Sequence, residues 1–167
     1  MLATLLLVAC AQSLDEIEST LKAATDKTSY ENGAYSAARS LADMRTDDAA
    51  KLRIELFDSK HDTYRGVYLR DWFYSGYLKS TSQSEGDLML AAAANKKTSN
   101  WHRIVLLRGI ERSKVKVSSK LLLSKNFLKE DEVCRAWQQC AGVLLKESRI
   151  DFSDSRATSH DKLIELF

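Results

Sequence analysis

The scarcity of turn residues is the feature that most restricts the fold of this sequence. Its 167 residues contain no proline and only six glycines. A β-sandwich or barrel needs many tight turns built from glycine, proline or asparagine, whereas helix pairs can be joined by short loops of Ser, Asp and Asn. Because 44% of the residues are hydrophobic, the chain can also bury a core. The composition therefore predicts an all-α protein.

Most segments repeat one pattern, which is a capping residue, an apolar stripe at helical spacing and a polar break. Ser13 and Glu16 form a capping box at the start of the first helix. Gly76 is expected to end the fourth helix, with a loop over residues 77–83. The seventh helix has an uncertain start, because residues 115–117 alternate as in a strand. The helices are expected at about 13–24, 30–44, 46–58, 63–75, 84–95, 101–112, 115–123 and 127–146.

The apolar faces of these helices predict the core. Small residues in the second helix would let a neighbouring helix approach closely, and Ser84 is expected to cap the fifth helix. The residues expected in the core include Ile17, Leu21, Ala34, Ala37, Ala38, Leu41, Ala50, Ile54, Phe57, Trp72, Phe73, Ile110, Val133, Trp137, Cys140, Ala141 and Leu144.

Pairing the helices in order places the first helix of each pair at a spacing of about 30 to 38 residues, which is typical of stacked helix pairs. Two second helices open with Asp62-Thr-Tyr-Arg65 and Ser99-Asn-Trp-His102, and residues 33–41 hold spaced alanines before a leucine. These segments resemble HEAT repeats over about residues 13–146. Ser99 and His102 depart from the usual Asp and Arg of that family, and its proline is missing. The resemblance implies a right-handed α-solenoid of about four antiparallel helix pairs, a concave face that binds protein or nucleic acid, and no intrinsic catalysis.

The first twelve residues differ from the rest of the chain. Residues 2–10 form an apolar run broken only by Thr4, shorter than the ~20 residues that span a bilayer. Its length suits a signal peptide, and Ala9-Cys10-Ala11 is a small-x-small cleavage pattern. The run also resembles the lipobox of bacterial lipoproteins, which implies a lipid on Cys10. No Lys or Arg precedes it, so a buried first helix is the alternative.

A signal would export the chain to the periplasm, the envelope or the medium of a bacterium, whereas a buried helix would leave it cytoplasmic. Membrane attachment is expected only through a lipid on Cys10. At the other end, a polar linker precedes the apolar residues Leu163, Ile164 and Phe167. This last stripe lacks a neighbour, so the chain is either truncated or folds the segment back. We therefore divide the chain into a signal segment (1–12), a helical repeat domain (13–150), and a linker with the start of a further helix (151–167).

Positive charge is concentrated in one part of the sequence. Between residues 96 and 129 ten cations oppose a single acid, Glu111, although the net charge of the whole chain is only +2. This segment is either a solvated helix face or a basic patch for an acidic partner. The expected patch residues are Arg103, Arg108, Arg112, Lys114, Lys116 and Lys120.

Residue patterns for chemistry are missing. His61, His102 and His160 lack a second histidine at metal-binding spacing, and Cys134 and Cys140 have no CxxC partner. The sequence has no nucleophile elbow, phosphate-binding loop or dinucleotide fingerprint. We therefore expect no metal, no cofactor and no catalytic site.

The expected function is a non-enzymatic interaction or scaffolding module that binds a protein with an acidic face. Two alternatives remain, which are a helical solenoid that binds nucleic acid and the accessory region of a larger secreted enzyme. Tryptophan at positions 72, 101 and 137 recurs in successive second helices, where it would serve packing or offer a stacking surface.

Overall fold

The computed structural model describes residues 12–24, 33–59 and 66–153. The all-α prediction is confirmed, because helices form most of these ranges. The α-helices are α1 (Leu14–Ala23), α2 (Tyr35–Asp43), α3 (Asp47–Ser59), α4 (Gly66–Leu78), α5 (Gln83–Ala94), α6 (Asn100–Arg112), α7 (Ser119–Leu122) and α8 (Asp131–Lys146). A 3-10 helix (Lys125–Lys129) precedes α8, and two short strands, β1 (Val117–Ser118) and β2 (Ile150–Asp151), pair in parallel.

Several expectations concern residues outside these ranges. They include the candidate signal up to residue 11 with Cys10, the Asp62–Arg65 segment, His61, His160 and the C-terminal apolar stripe. Within the described ranges, every helix is too short or too polar to cross a membrane.

Serine side chains cap the N-termini of three α-helices, α1, α5 and α6. The capping box of α1 is confirmed: Ser13 N donates to Glu16 Oε2 at 2.8 Å, and Glu16 N donates to Ser13 Oγ at 3.3 Å. The predicted start of α5 is wrong by two residues, because its cap is Ser82 and not Ser84. Glu85 N donates to Ser82 Oγ at 3.1 Å, while the Glu85 carboxylate turns inward to meet a buried arginine.

The predicted end of α4 at Gly76 is also wrong, since the helix continues to Leu78. Gly76 is required there by a close approach. A Cβ at this position would lie 2.6 Å from Cδ of Arg53 and 3.3 Å from Cα of Ala42. Tyr77, expected in a loop, is 1% exposed and belongs to the core.

The predicted seventh helix is mostly replaced by β1 and the four-residue α7. Tertiary hydrogen bonds hold the extended backbone at its start. Val117 N donates to Arg149 O at 3.0 Å, and Ser118 N donates to the Asp87 carboxylate at 2.7 Å. The segment is therefore extended as its alternation suggested, and the hydrogen bonds from distant residues hold it so.

Contacts between the helices follow a regular order. Each of α1, α3 and α5 packs on the helix that follows it in the chain. Further contacts join α1 to α3 and α3 to α5 in one row, and join α2, α4, α6 and α8 in a second row. The core lies between the rows as one continuous cluster from Ile17 to Ile150.

Most of the predicted apolar faces are confirmed, although Trp101, for which packing was one interpretation, is 47% exposed. Of the residues expected in the core, Ile54 and Trp72 are only partly buried, and the others are at most 2% exposed.

Candidate functional site

A groove with a volume of about 260 Å³ lies between α4 and α6, next to the end of α3. Aromatic and cationic side chains from three helices come together in this groove. Its walls are formed by Phe57, Arg70, Asp71, Tyr74, Trp101, Val105, Arg108 and Arg112.

One face of α6 supplies half of these residues. Ser99 caps the helix, with His102 N donating to Ser99 Oγ at 3.2 Å. Trp101, Val105, Arg108 and Arg112 then follow at intervals of four, three and four positions, which places them on one side of a helix. The opposite side is held in the core by residues that include Leu106, Leu107 and Ile110, each 0% exposed. The local sequence therefore fixes which side chains face the groove.

Trp101 is held in place while 47% of it stays exposed. The guanidinium of Arg70 lies 4.6 Å from the Trp101 ring centroid and 5.4 Å from that of Phe57. Arg70 Nε also donates to the Phe57 carbonyl at 3.1 Å. Because stacking and a backbone hydrogen bond fix the guanidinium, the indole is an oriented apolar surface with a positive charge beside it.

The other end of the groove is cationic. Arg112 Nη1 donates to the Tyr74 hydroxyl at 3.4 Å, and Arg108 is exposed. Among the residues that the structure describes, no carboxylate lies within ion-pair distance of either arginine. With Asp71 as the single acid in its lining, the groove has a positive charge that a ligand with carboxylates would complement.

Behind the groove, the buried side chains of His102 and Tyr77 meet Asp58, whose side chain is 35% exposed. His102 is 0% exposed, and its Nε2 lies 3.2 Å from the Tyr77 hydroxyl. Its Nδ1 lies 3.2 Å from Asp58 Oδ2, off the axis of a hydrogen bond. Burial lowers the pKa of His102, and this outweighs the opposite effect of Asp58. The imidazole is therefore neutral at pH 7, and it packs on Phe57 with ring centroids 4.1 Å apart.

This cluster has the residue types of a proton relay, but its histidine and tyrosine are buried and only Asp58 is partly exposed. Asp58 accepts hydrogen bonds from Ser99, with Oγ at 2.8 Å and N at 3.3 Å. The three side chains therefore join α3, α4 and α6 beneath the groove and hold its floor.

The predicted basic patch is divided by the structure. Arg103 is only 2% exposed, with Nε donating to Ala93 O at 2.8 Å and Nη2 to Asn126 O at 2.9 Å. It is a structural residue and not part of a surface patch, because backbone carbonyls on two sides bind its guanidinium. Arg108 and Arg112 are exposed and line the groove. Lys114, Lys116 and Lys120 are exposed but do not line it.

Sequence reasoning missed Arg70, Tyr74 and Asp71. All three lie on α4, whose aromatic residues suggest only a core helix. A spacing of four residues between Arg70 and Tyr74 is the only local signal of a shared face. Their contacts with Trp101 and Arg112 depend on how two helices pack.

A second groove lies between α2 and α4. Asp71 of α4 lines both grooves. Tyr35 is 46% exposed and meets Trp72 edge to face at 5.4 Å between centroids, with the Arg39 guanidinium 5.8 Å from the Trp72 ring. We call the combined region the aromatic–arginine surface. It comprises Tyr35, Arg39, Trp72, Tyr74, Trp101, Arg108 and Arg112.

The remaining potential ligand groups are dispersed. Within 12–24, 33–59 and 66–153, no three His, Cys, Asp or Glu residues come close enough to hold a metal ion. Cys134 and Cys140 are free thiols, and burial raises the pKa of Cys140 to about 12.

Comparison of the chain with family models, curated proteins and solved structures gives no match.

Proposed function

We propose that this chain is a non-enzymatic protein-interaction module of the α-solenoid type, and that its aromatic–arginine surface binds a partner with an acidic face. The HEAT-like nature of the helix pairs is part of this proposal.

The order of helix contacts supports the solenoid. Neighbours in the chain pair, and alternate helices stack in two rows, as expected when each pair buries its apolar face on the next. Two contacts support a common direction for α4 and α6. Arg70 meets Trp101 near the start of α6, and Tyr74 meets Arg112 at its end.

The observation that carries the functional proposal is the exposed Trp101 on the same helix face as Arg108 and Arg112, two cations with no carboxylate at ion-pair distance among the described residues. Trp, Tyr and Arg are the residues most enriched at the energetic centres of protein interfaces. Arg70 and Phe57 already orient the indole, so little side-chain entropy would be lost on binding. The exposed side chains of Arg108 and Arg112 would favour a partner with negatively charged groups.

Photo-crosslinking tests this proposal. A photoreactive residue in place of Val105, inside the groove, should capture a specific protein, whereas one in place of Glu132 on α8 should not. The captured protein is then purified and titrated against the chain.

We expect Trp101→Ala to weaken that complex at least about tenfold, as for an interface hot spot. The matched control is Leu128→Ala, because Leu128 is a similarly exposed apolar residue (52%) outside the groove. Equal affinities of the two variants would refute the proposal.

Single-stranded nucleic acid is the second candidate, since an exposed tryptophan with nearby arginines can stack bases and bind phosphates. Asp71 in the centre of the surface disfavours a polyanion more than a segment of mixed composition. Salt-sensitive binding of an oligonucleotide that Trp101→Ala abolishes would favour this candidate.

A further inference from the structure

We infer that the groove between α4 and α6 recognises an amphipathic helix of the partner, which carries carboxylates on its first two turns and apolar side chains on the next two turns of the same face. This inference rests on the proposed function and names the class of segment that binds.

The groove face of α6 has two halves. Trp101 and Val105 form an apolar half at the start of the helix, and Arg108 and Arg112 form a cationic half at its end. The members of each half are four positions apart, which is about 6 Å along the axis. A second helix repeats the same spacing on its own face, so it can match both halves with one row of side chains.

The dimensions of the groove favour anchoring side chains over a bulky ligand. Its volume of about 260 Å³ is below the range of small-molecule pockets, which is about 300–1,000 Å³. Phe57, Trp101 and Val105 provide an apolar lining for one or two inserted side chains. A helix lying over the groove inserts such anchors while its backbone stays outside.

The cationic half of the groove, at the end of α6, determines the charge of the partner segment that binds there. Guanidinium groups bind carboxylates through paired hydrogen bonds, and Arg108 and Arg112 have no carboxylate at ion-pair distance among the described residues. Carboxylates stabilise a helix best in its first turns, near the positive end of its dipole. The partner helix therefore begins at Arg112 and runs antiparallel to α6, towards Trp101.

Synthetic peptides test the inference. The matched peptide has about five helical turns, glutamates on the first two turns, leucines on the next two turns of that face, and a staple on the opposite face. The face-shifted peptide has the same composition with its glutamates moved to the opposite side. Both carry a fluorophore, and fluorescence anisotropy reports their affinity for the chain.

We expect the matched peptide to bind about tenfold more tightly than the face-shifted one, as two exposed arginine–carboxylate pairs can supply. The preference should disappear in the double variant Arg108→Glu/Arg112→Glu. A peptide with lysines in place of the glutamates should bind that double variant better than it binds the unmodified chain. Trp101→Ala should weaken the matched peptide, and Leu128→Ala should not. Circular dichroism verifies that each variant is folded.

Equal affinity for the matched and face-shifted peptides would overturn the inference. Tighter binding of a mixed-sequence single-stranded oligonucleotide than of either peptide, lost in Trp101→Ala, would overturn it in favour of nucleic acid. The crosslinking experiment separates this inference from the proposed function. If the captured protein requires Trp101 and loses affinity in Arg108→Glu/Arg112→Glu, while the matched and face-shifted peptides bind equally, the proposed function stands and only the acidic-helix inference fails.

Discussion

At the scale of single residues, one buried ion pair holds three helices together. The Arg53 side chain is 0% exposed and that of Glu85 is 2% exposed, with 3.1 Å between Nη2 and Oε1. Arg53 Nη1 also donates to Leu41 O at 2.7 Å and Met44 O at 2.9 Å, at the end of α2. Glu85 Oε1 also lies 3.6 Å from Nη1 of the partly exposed Arg45, whereas Glu85 is the one carboxylate at ion-pair distance from Arg53 among the described residues, so the buried guanidinium depends on Glu85 for compensation.

We expect Glu85→Ala to reduce the free energy of unfolding by about 3–5 kcal/mol, since it leaves a buried guanidinium uncompensated. Urea denaturation of the purified chain measures the loss. Glu55→Ala is the control, because Glu55 is 64% exposed in its contact with Lys22 and such surface pairs contribute about 0–1 kcal/mol. Similar losses for the two variants would contradict this role of Glu85.

His102 makes stability depend on pH. Burial lowers the pKa of His102 in the folded chain below the ordinary value of 6.5, so the unfolded chain binds a proton first as the pH falls. The stabilisation is therefore complete above about pH 6.5 and is lost as the pH falls through the folded pKa. The charged or titratable groups that act on the ring are Asp58, Arg70 and Tyr77.

Thermal unfolding between about pH 7.5 and 5.5, a window around the ordinary histidine pKa, measures this effect. We expect the melting temperature of the unmodified chain to fall more steeply with decreasing pH than that of His102→Gln. The other two histidines are present in both chains, so they cancel in the comparison. Parallel curves would exclude His102 as the titrating group.

At the scale of elements, close approaches decide where helices and strands meet. A Cβ on Gly86 would lie 2.4 Å from the Lys116 carbonyl oxygen and 2.9 Å from Val115 Cβ. The segment that leads into β1 can pack on α5 only because this position has no side chain. Gly142 is the opposite case, because a Cβ there meets no atom within 4 Å.

The two glycines provide a matched pair of substitutions. Gly86→Ala should destabilise the chain by about 1–3 kcal/mol, since the contacted backbone must move. Gly142→Ala should stabilise it by about 0.5–1 kcal/mol, because alanine restricts the unfolded chain and favours the helix. Changes in unfolding free energy of the same sign would contradict the packing described for α5 and β1.

At the scale of the whole molecule, a single core joins all of the described helices. Arg149 extends this unit beyond α8. Its Nη1 donates to Ile110 O at 3.0 Å and Ser113 O at 2.8 Å, and its Nη2 donates to Glu111 O at 2.7 Å. These bonds satisfy carbonyls at the end of α6, close to Arg112 of the groove. The cationic end of the groove is thus held by a residue distant in the sequence.

Export of the chain stays a prediction from residues 1–12. Expressed in a bacterium with a C-terminal tag, the chain should appear in the envelope or the medium. Its mass should show either cleavage after Ala11 or a diacylglyceryl group on Cys10. Mass spectrometry of cell fractions measures this, and an uncleaved cytoplasmic product would refute it and favour the nucleic-acid alternative.

Local physics made much of the fold predictable. The capping box at Ser13, the apolar face of α2 and the course of α8 depend on residues within about four positions of one another, which is the range of helical hydrogen bonds and side-chain neighbours. The concentration of cations between residues 96 and 129 also placed Arg108 and Arg112 in the predicted basic patch, and their spacing of four residues is compatible with one helix face.

Tertiary contacts decided the rest, because they join residues that no local pattern relates. Position 76 inside α4 has no side chain because Arg53 passes beside it, and Val117 is extended because the Arg149 carbonyl accepts its N–H. Arg103 is not part of the predicted patch, because the Ala93 and Asn126 carbonyls accept hydrogen bonds from its guanidinium in the interior. The groove itself requires Arg70 to reach Trp101 across two helices. Such pairings depend on how the apolar faces of different elements pack against one another. Periodicity in the sequence identifies each apolar face, but it does not show which face packs on which.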